Sequence, residues 1–169
     1  MSEYPVVELF TDGACIGNPG PGGWAYILRH PASGKIKEEG GGDPATTNNR
    51  MEMMAVISGL KALRCPSKVL LRSDSEYVVI GIVERMERYR ALGWRKSRRS
   101  KRLIKNVDLW REIYELTAIH SIEAEWVRGH NGHLENERCD ELAMDAAQKA
   151  AALPQPRPHE PELGSEGLF

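Results

Sequence analysis

The stretch "TTNNRMEMMAVISGLKALR", Thr46 to Arg64, marks where the chain changes character. Threonine and asparagine open it as candidate caps, and the residues after them are apolar on most sides, so it reads as a buried helix. Upstream the sequence is strand-like. "YPVVELFTDG", from Tyr4, is a β-branched and aromatic run ended by Asp-Gly, a strand running into a turn. "GNPGPGG" is too rich in glycine and proline for a regular element. "WAYILRH" and "GKIKEEGGG" read as two more strands, joined through "PASG". Downstream, strand and helix alternate: "KVLLRSD", "SEYVVIGIVERMERY", "VDLWREIYEL", "HSIEAEWV" and "LENERCDELAMDAAQKAAAL". Leu109, Trp110, Ile113 and Leu116 share one helical face, and Ile122, Ala124 and Trp126 are expected to point inward from the last strand. A meander followed by α/β alternation predicts an α/β fold, a mixed sheet flanked by helices.

With 169 residues, 41% hydrophobic and 28% charged, the chain reads as one soluble globular domain. No apolar run approaches the roughly 18 residues of a membrane span, and "MSEYPVVELF" lacks a signal-peptide pattern. Three scattered cysteines, Cys15, Cys65 and Cys139, read as reduced thiols in a cytoplasmic protein. The domain is expected over 1–152. Residues 153–169, with prolines at 154, 156, 158 and 161, read as a disordered tail. The net charge of −1 hides a strong polarity. Residues 85–105 hold ten Lys/Arg against Glu87 alone, a local +9, which leaves −10 on the remainder. A basic arm on an acidic body is a candidate contact for a polyanion.

Four acids sit where acids are awkward. Asp12 and Asp74 are expected at the ends of the first and fourth strands, the sheet edge where ligands of open α/β sheets gather. Each has a bland alternative as a turn former or helix cap. Glu52 lies on an apolar helical face with Val56 and Leu63, where an unpaired carboxylate costs several kcal/mol. Arg50 or Lys61 could neutralise it. Asp140 has Ala143, Met144 and Ala147 on its side of the last helix, and Arg138 or Lys149 could pair with it. If the four met, they would repel one another unless a divalent cation, or two, lay between them. Oxygen-only ligation suits magnesium, and two metals about 4 Å apart clamp both oxygens of a phosphoryl displacement.

"WVRGHNGHLENERCDELA", Trp126 to Ala143, adds two histidines and a cysteine beside these acids. H-x2-H-x5-C matches no common zinc spacing, and no further cysteine pair is near to complete a tetrahedron. This segment, with "FTDGACIGNPGPGGWAYIL", "TTNNRMEMMAVISGL", "SDSEYV" and "KNVDLW", resembles bacterial type 1 ribonuclease H over about residues 4 to 150. The resemblance implies a ribonuclease H-like fold, a five-stranded mixed sheet in the order 3-2-1-4-5 with helices on both sides. It implies magnesium-dependent endonucleolytic hydrolysis of the RNA strand of RNA–DNA hybrids, with manganese able to substitute. The products would carry 5′-phosphate and 3′-hydroxyl ends, and the work would be removal of RNA primers and hybrids during replication.

By the same resemblance Asp12, Glu52, Asp74 and Asp140 are the metal-binding catalytic carboxylates, and His130 is a catalytic histidine that moves protons or helps release product. Gly13, Cys15, Asn18, Thr47, Asn48 and Asn49 fall where the hybrid's phosphates and minor-groove edges are held. Glu76 falls beside them, where glutamine is common. Arg95, Lys96, Arg98 and Arg99, with Tyr89 and Trp94 interleaved, match the basic protrusion that grips the DNA strand. Arg85 stands at a position that is often aromatic, and the tail is longer than in familiar members. That tail ends in Leu168-Phe169, which could dock a replication partner; otherwise a monomer is expected. Two other readings stay open, a different metal nuclease on a related sheet and a hybrid-binding module without catalysis. The latter predicts a missing carboxylate.

Overall fold

A computed structural model of the chain describes residues 4–128 and 134–153. His130 and the tail from 154 onward lie outside the described residues. The strands are β1 (Val6–Cys15), β2 (Gly20–His30), β3 (Lys35–Thr46), β4 (Lys68–Ser73) and β5 (Ser121–Trp126). They form one sheet in the order β3-β2-β1-β4-β5, as the resemblance implied. The meander β1-β2-β3 is antiparallel, whereas β4 lies parallel to both β1 and β5. The helices are α1 (Asn48–Lys61), α2 (Glu76–Ile80), α3 (Met86–Ala91), α4 (Val107–Ile119) and α5 (Leu134–Ala152), with a π-helical turn, Gly81–Arg85, between α2 and α3.

Strand alternation distributes the helices. Leu9 meets α1 at Gly59, while Phe10, one residue on, clusters with Cys139 of α5 on the other face. The larger core lies on the α1 side. There Leu9, Tyr26, Val69 and Leu71 of the sheet meet Met53, Val56, Ile57 and Leu60 of α1 and the face Leu109, Trp110, Ile113 and Leu116 of α4. That α4 face is the one expected from its spacing. The start of α1 is also as expected, with the Thr47 hydroxyl accepting from the Arg50 N–H at 3.3 Å.

Four local expectations change. "GPGG" is not a turn but the start of β2, and α5 lies against its last glycine: a Cβ on Gly23 would come within 2.2 Å of the Ala143 carbonyl. β1 does not end at Asp12 but pairs with β2 as far as Cys15. Trp126 does not point into the core; it is 39% exposed on the edge strand β5. Met144 is exposed, since the inward stripe of α5 runs through Asn136, Cys139, Ala143, Ala147 and Ala150.

Between α3 and α4 the basic segment is irregular, tied by a single bridge, Arg95 with Leu103. Gly93 and Trp94 both take positive φ, at 67° and 63°. For tryptophan that conformation is uncommon. The Trp94 N–H donates to the Tyr89 carbonyl at 2.6 Å, and its ring packs edge-on against Tyr114 at 5.8 Å. The arm is therefore anchored to the domain through its aromatic residues, with its cations left outside.

Candidate active site

Three of the four acids converge. The parallel ladder between β1 and β4 stops at the pair Thr11–Ser73, so Asp12 and Asp74 lie side by side just beyond it. Asp12 is thus at the end of that ladder although its own strand continues. Glu52 comes from α1, which can press onto β1 here because residue 13 is glycine. A Cβ on Gly13 would sit 2.4 Å from the Glu52 nitrogen. Oxygens of Asp12, Glu52 and Asp74 all lie within 4.8 Å of one another. Asp140 stands outside this triangle, half-buried on α5, but its charge still reaches Asp12.

The cations that could have explained the two helical acids are engaged elsewhere. Arg50 makes a two-pronged pair with Asp108, at 3.0 and 2.7 Å, and Lys61 pairs with Glu112. Arg138 reaches Glu38 and Glu141, and Lys149 reaches Asp145. Among the described residues no ion pair joins Asp12 or Glu52 to a cation. Burial, then repulsion from Asp74, pushes the Asp12 carboxyl up to about 7, although hydrogen bonds from the Gly13 N–H and with Glu52 work against the rise. Burial first, then Asp12 and Asp74, hold the Glu52 carboxyl well above the usual carboxylate range. Glu52 is 5% exposed, and its Oε2 has no hydrogen-bond partner. An orphaned buried oxygen on Glu52, in a cluster of carboxylates crowded by like charge, belongs to a donor set that fits a hard divalent cation.

The other residues expected to touch substrate lie on several elements. Asn18 and Asn48 meet, the Asn48 N–H donating to Asn18 Oδ1 at 3.0 Å, so the turn before β2 and the first turn of α1 form one exposed ledge with Asn49. Thr47 is occupied as the cap of α1. The Cys15 thiol is half-buried and donates toward the Gly20 and Thr46 carbonyls at 3.5 Å. Glu76 is exposed on the first turn of α2. Arg95, Lys96, Arg98 and Arg99 are exposed, whereas Tyr89 and Trp94 are half-buried against the core. A cavity of about 180 Å³ opens between the helices and the arm, with Tyr77, Met86, Ile104 and Trp110 in its wall and Arg85, Lys96 and Lys105 beside them.

Sequence reasoning missed Trp126. Its indole Nε1–H donates to the Asp74 carbonyl at 3.1 Å, and the Arg128 guanidinium stands over its ring at 5.1 Å. The strand alternation that should have placed it in the core stops being informative at the last residue of an edge strand, where the ring is 39% exposed.

Comparison with known proteins agrees with this geometry. The family model described as RNase H matches residues 5–148. The Ribonuclease H of Legionella pneumophila (strain Lens) is 51% identical over 137 residues, covering 81% of this chain and 93% of its own. Among solved structures, LC9-RNase H1, a type 1 RNase H with the type 2 active-site motif, superposes with a TM-score of 0.78 at 33% identity, over 89% of this chain and 75% of that one. LC11-RNase H1, solved in complex with an RNA/DNA hybrid, shares the fold at a TM-score of 0.62 and 23% identity, over 85% and 98% of the two chains. On the strength of the family match and the half-identical relative, the chain belongs to the RNase H family.

Proposed function

We propose that this protein hydrolyses the RNA strand of RNA–DNA hybrids endonucleolytically, at a magnesium site held by Asp12, Glu52, Asp74 and Asp140. Family membership carries the reaction: it is a ribonuclease H, a divalent-metal-dependent nuclease that cuts RNA paired to DNA. One observation carries the site, the three carboxylates within 4.8 Å with no compensating cation on Asp12 or Glu52 among the described residues. One or two magnesium ions bound there supply Lewis-acid polarisation of the phosphate and activation of the attacking water, and manganese can serve in their place.

The chain's own residues do the rest. Asp12, Glu52 and Asp74 orient the scissile phosphate's environment from fixed main-chain positions, and Asp140 adds the fourth charge from α5. The water oxygen bonds to phosphorus as the bond to the 3′ oxygen breaks, which leaves a 5′-phosphate and a 3′-hydroxyl. His130 is the group proposed to move protons at this step, work suited to an imidazole titrating near neutral pH. The Asn18–Asn48–Asn49 ledge faces the hybrid's minor groove, where the 2′-hydroxyl distinguishes RNA from DNA. The exposed cations of the arm, with Arg85, Lys96 and Lys105 around an apolar-walled cavity, suit the sugar–phosphate backbone of the DNA strand. Glu76, exposed on the first turn of α2, puts an acid among the minor-groove contacts near the metal site.

A cytoplasmic setting is supported by three free cysteines. No helix among the described residues is long and apolar enough to cross a membrane. A monomeric working state, hybrid removal in replication, and docking of Leu168-Phe169 to a replication partner rest on the sequence alone. A labelled hybrid, with and without magnesium, tests the main proposal. Internal cuts in the RNA strand are expected only with metal. Equal cutting of duplex DNA, or products released from ends alone, would sink it.

A further inference from the structure

Trp126 sits on an edge strand, 39% exposed, where burial alone gives a tryptophan little reason to be. The main chain it touches is unusual. Asp74 follows the last residue of β4 and precedes the cap of α2, so it belongs to neither element. Both its neighbours are tied down. The Ser73 carbonyl accepts from the Val127 N–H at 2.9 Å, and the Ser73 hydroxyl accepts from the Ser75 N–H at 3.0 Å. The Ser75 hydroxyl accepts from the Val78 N–H at 3.2 Å. The carbonyl of Asp74 itself accepts the indole N–H of Trp126 at 3.1 Å. An indole can only donate, and this one donates to the main chain of a carboxylate residue.

We propose that Trp126 is a positioning residue: its N–H fixes the Asp74 peptide so that the carboxylate is already aimed into the triangle before metal binds. This rests on the reading of Asp74 as a metal ligand. Its physical basis is preorganisation. A carboxylate on a peptide free to rotate must be ordered when the metal arrives, and that ordering subtracts from affinity; partners behind a ligand commonly change metal affinity 10–100-fold. Arg128, at 5.1 Å over the ring, holds the indole plane but contributes no bond to Asp74.

The test titrates magnesium calorimetrically into the substrate-free, full-length protein. Trp126→Phe keeps a ring and removes the donor. Its magnesium dissociation constant should rise about 10-fold, the lower end of such effects. The metal concentration for half-maximal cleavage should rise by the same factor, with KM for the hybrid unchanged. Its melting temperature in EDTA should fall by no more than about 3 °C, as suits one exposed hydrogen bond. Arg128→Gln, which leaves the N–H in place, should stay within about two-fold of wild type in metal affinity. If Trp126→Phe fails to fold, replacing Trp126 alone with the sulfur isostere benzothienylalanine removes the donor and leaves the shape. Wild-type metal affinity in a donor-less variant overturns the proposal, and so does an equal loss in Arg128→Gln. Asp74→Asn separates the two levels. If it binds magnesium like wild type, the ligand reading has failed; if it loses metal while Trp126→Phe does not, only the positioning claim has.

Discussion

Glu8 and Glu52 are both buried glutamates against the same strand, and the protein treats them in opposite ways. Glu8, on β1, is 9% exposed and lies under Arg29 and Arg72, which also flank the Phe10 ring at 5.4 and 5.7 Å. Burial works against its charge, but the two guanidiniums outweigh it and hold the carboxyl below its ordinary value. Arg29 then continues to Glu135 at 2.5 Å, so the same network fastens the first turn of α5 to the sheet. Glu52, likewise shut off from solvent but deeper in the fold, has Asp12 and Asp74 for company, and the arginine nearest in sequence turns away to Asp108. A fold that can supply two arginines to one buried acid and none to another is carrying a cost at the second. Such a cost persists where a ligand removes it.

The largest effect that would sharpen this contrast is on turnover. Asp74→Asn should lower the cleavage rate about 10³-fold or more, the several kcal/mol that a metal clamp supplies to the transition state. Hybrid binding, measured by fluorescence anisotropy, should stay nearly intact because the arm is untouched. A rate near wild type in magnesium would show that the triangle is not the metal site.

Next comes the arm, where charge is solvated rather than buried. Reversing Arg95, Lys96, Arg98 and Arg99 together should raise KM much more than it lowers kcat, since these groups bind remotely from the chemistry. The slope of log affinity against log salt should become shallower by about 0.9 for each phosphate that the arm no longer neutralises. An unchanged salt slope would place the arm off the substrate.

The third effect is on stability, and here the paired acid Glu8 and the crowded acid Asp12 should move in opposite directions. Glu8→Gln removes the charge that the half-buried Arg29 and Arg72 share, leaving them to Glu135 and Glu125, and should cost about 1–3 kcal/mol by denaturant titration. Asp12→Asn should instead stabilise the metal-free protein at pH 8. The folded Asp12 carboxyl titrates at about 7, above its ordinary value near 4. Its contribution is therefore fully present below about pH 4 and is lost as pH rises through 7, where the folded site must accept a crowded charge. The wild type in EDTA should lose stability across that window relative to Asp12→Asn, and added magnesium should close the gap. A constant difference from pH 4 to pH 8 would contradict the crowding. The smallest effect concerns the tail: deleting 154–169 should change stability by no more than about 0.5 kcal/mol. A large drop in melting temperature would show that it packs on the domain.

What the sequence disclosed divides between local and long-range causes in the same way. The period of "VDLWREIYEL" was enough to place the buried face of α4, because four residues on one helix meet one core. The acids were legible as misplaced: Glu52 stood on an apolar stripe, and its oddness survived folding. Their meeting at one point was not local information. It depends on where the β1–β4 ladder stops and on how closely α1 can approach Gly13. The strand at "GPGG" was misread because two of its glycines answer to distant chain: Gly23 to α5, about 120 residues away in sequence, and Gly22 to Thr46 and Met51. Trp126 was misread for a related reason, since its partner is a main-chain oxygen that no residue pattern marks.

The contrast itself is tested most directly by measuring hybrid cleavage in magnesium and melting in EDTA for two variants, Glu52→Gln and Glu8→Gln, below the melting point of both. Glu52→Gln should lose cleavage while melting at or above the wild-type temperature. Glu8→Gln should melt lower yet cut at nearly the wild-type rate. If Glu52→Gln cuts normally, or if both variants lose cleavage and stability together, the uncompensated acids are not a site held ready for metal.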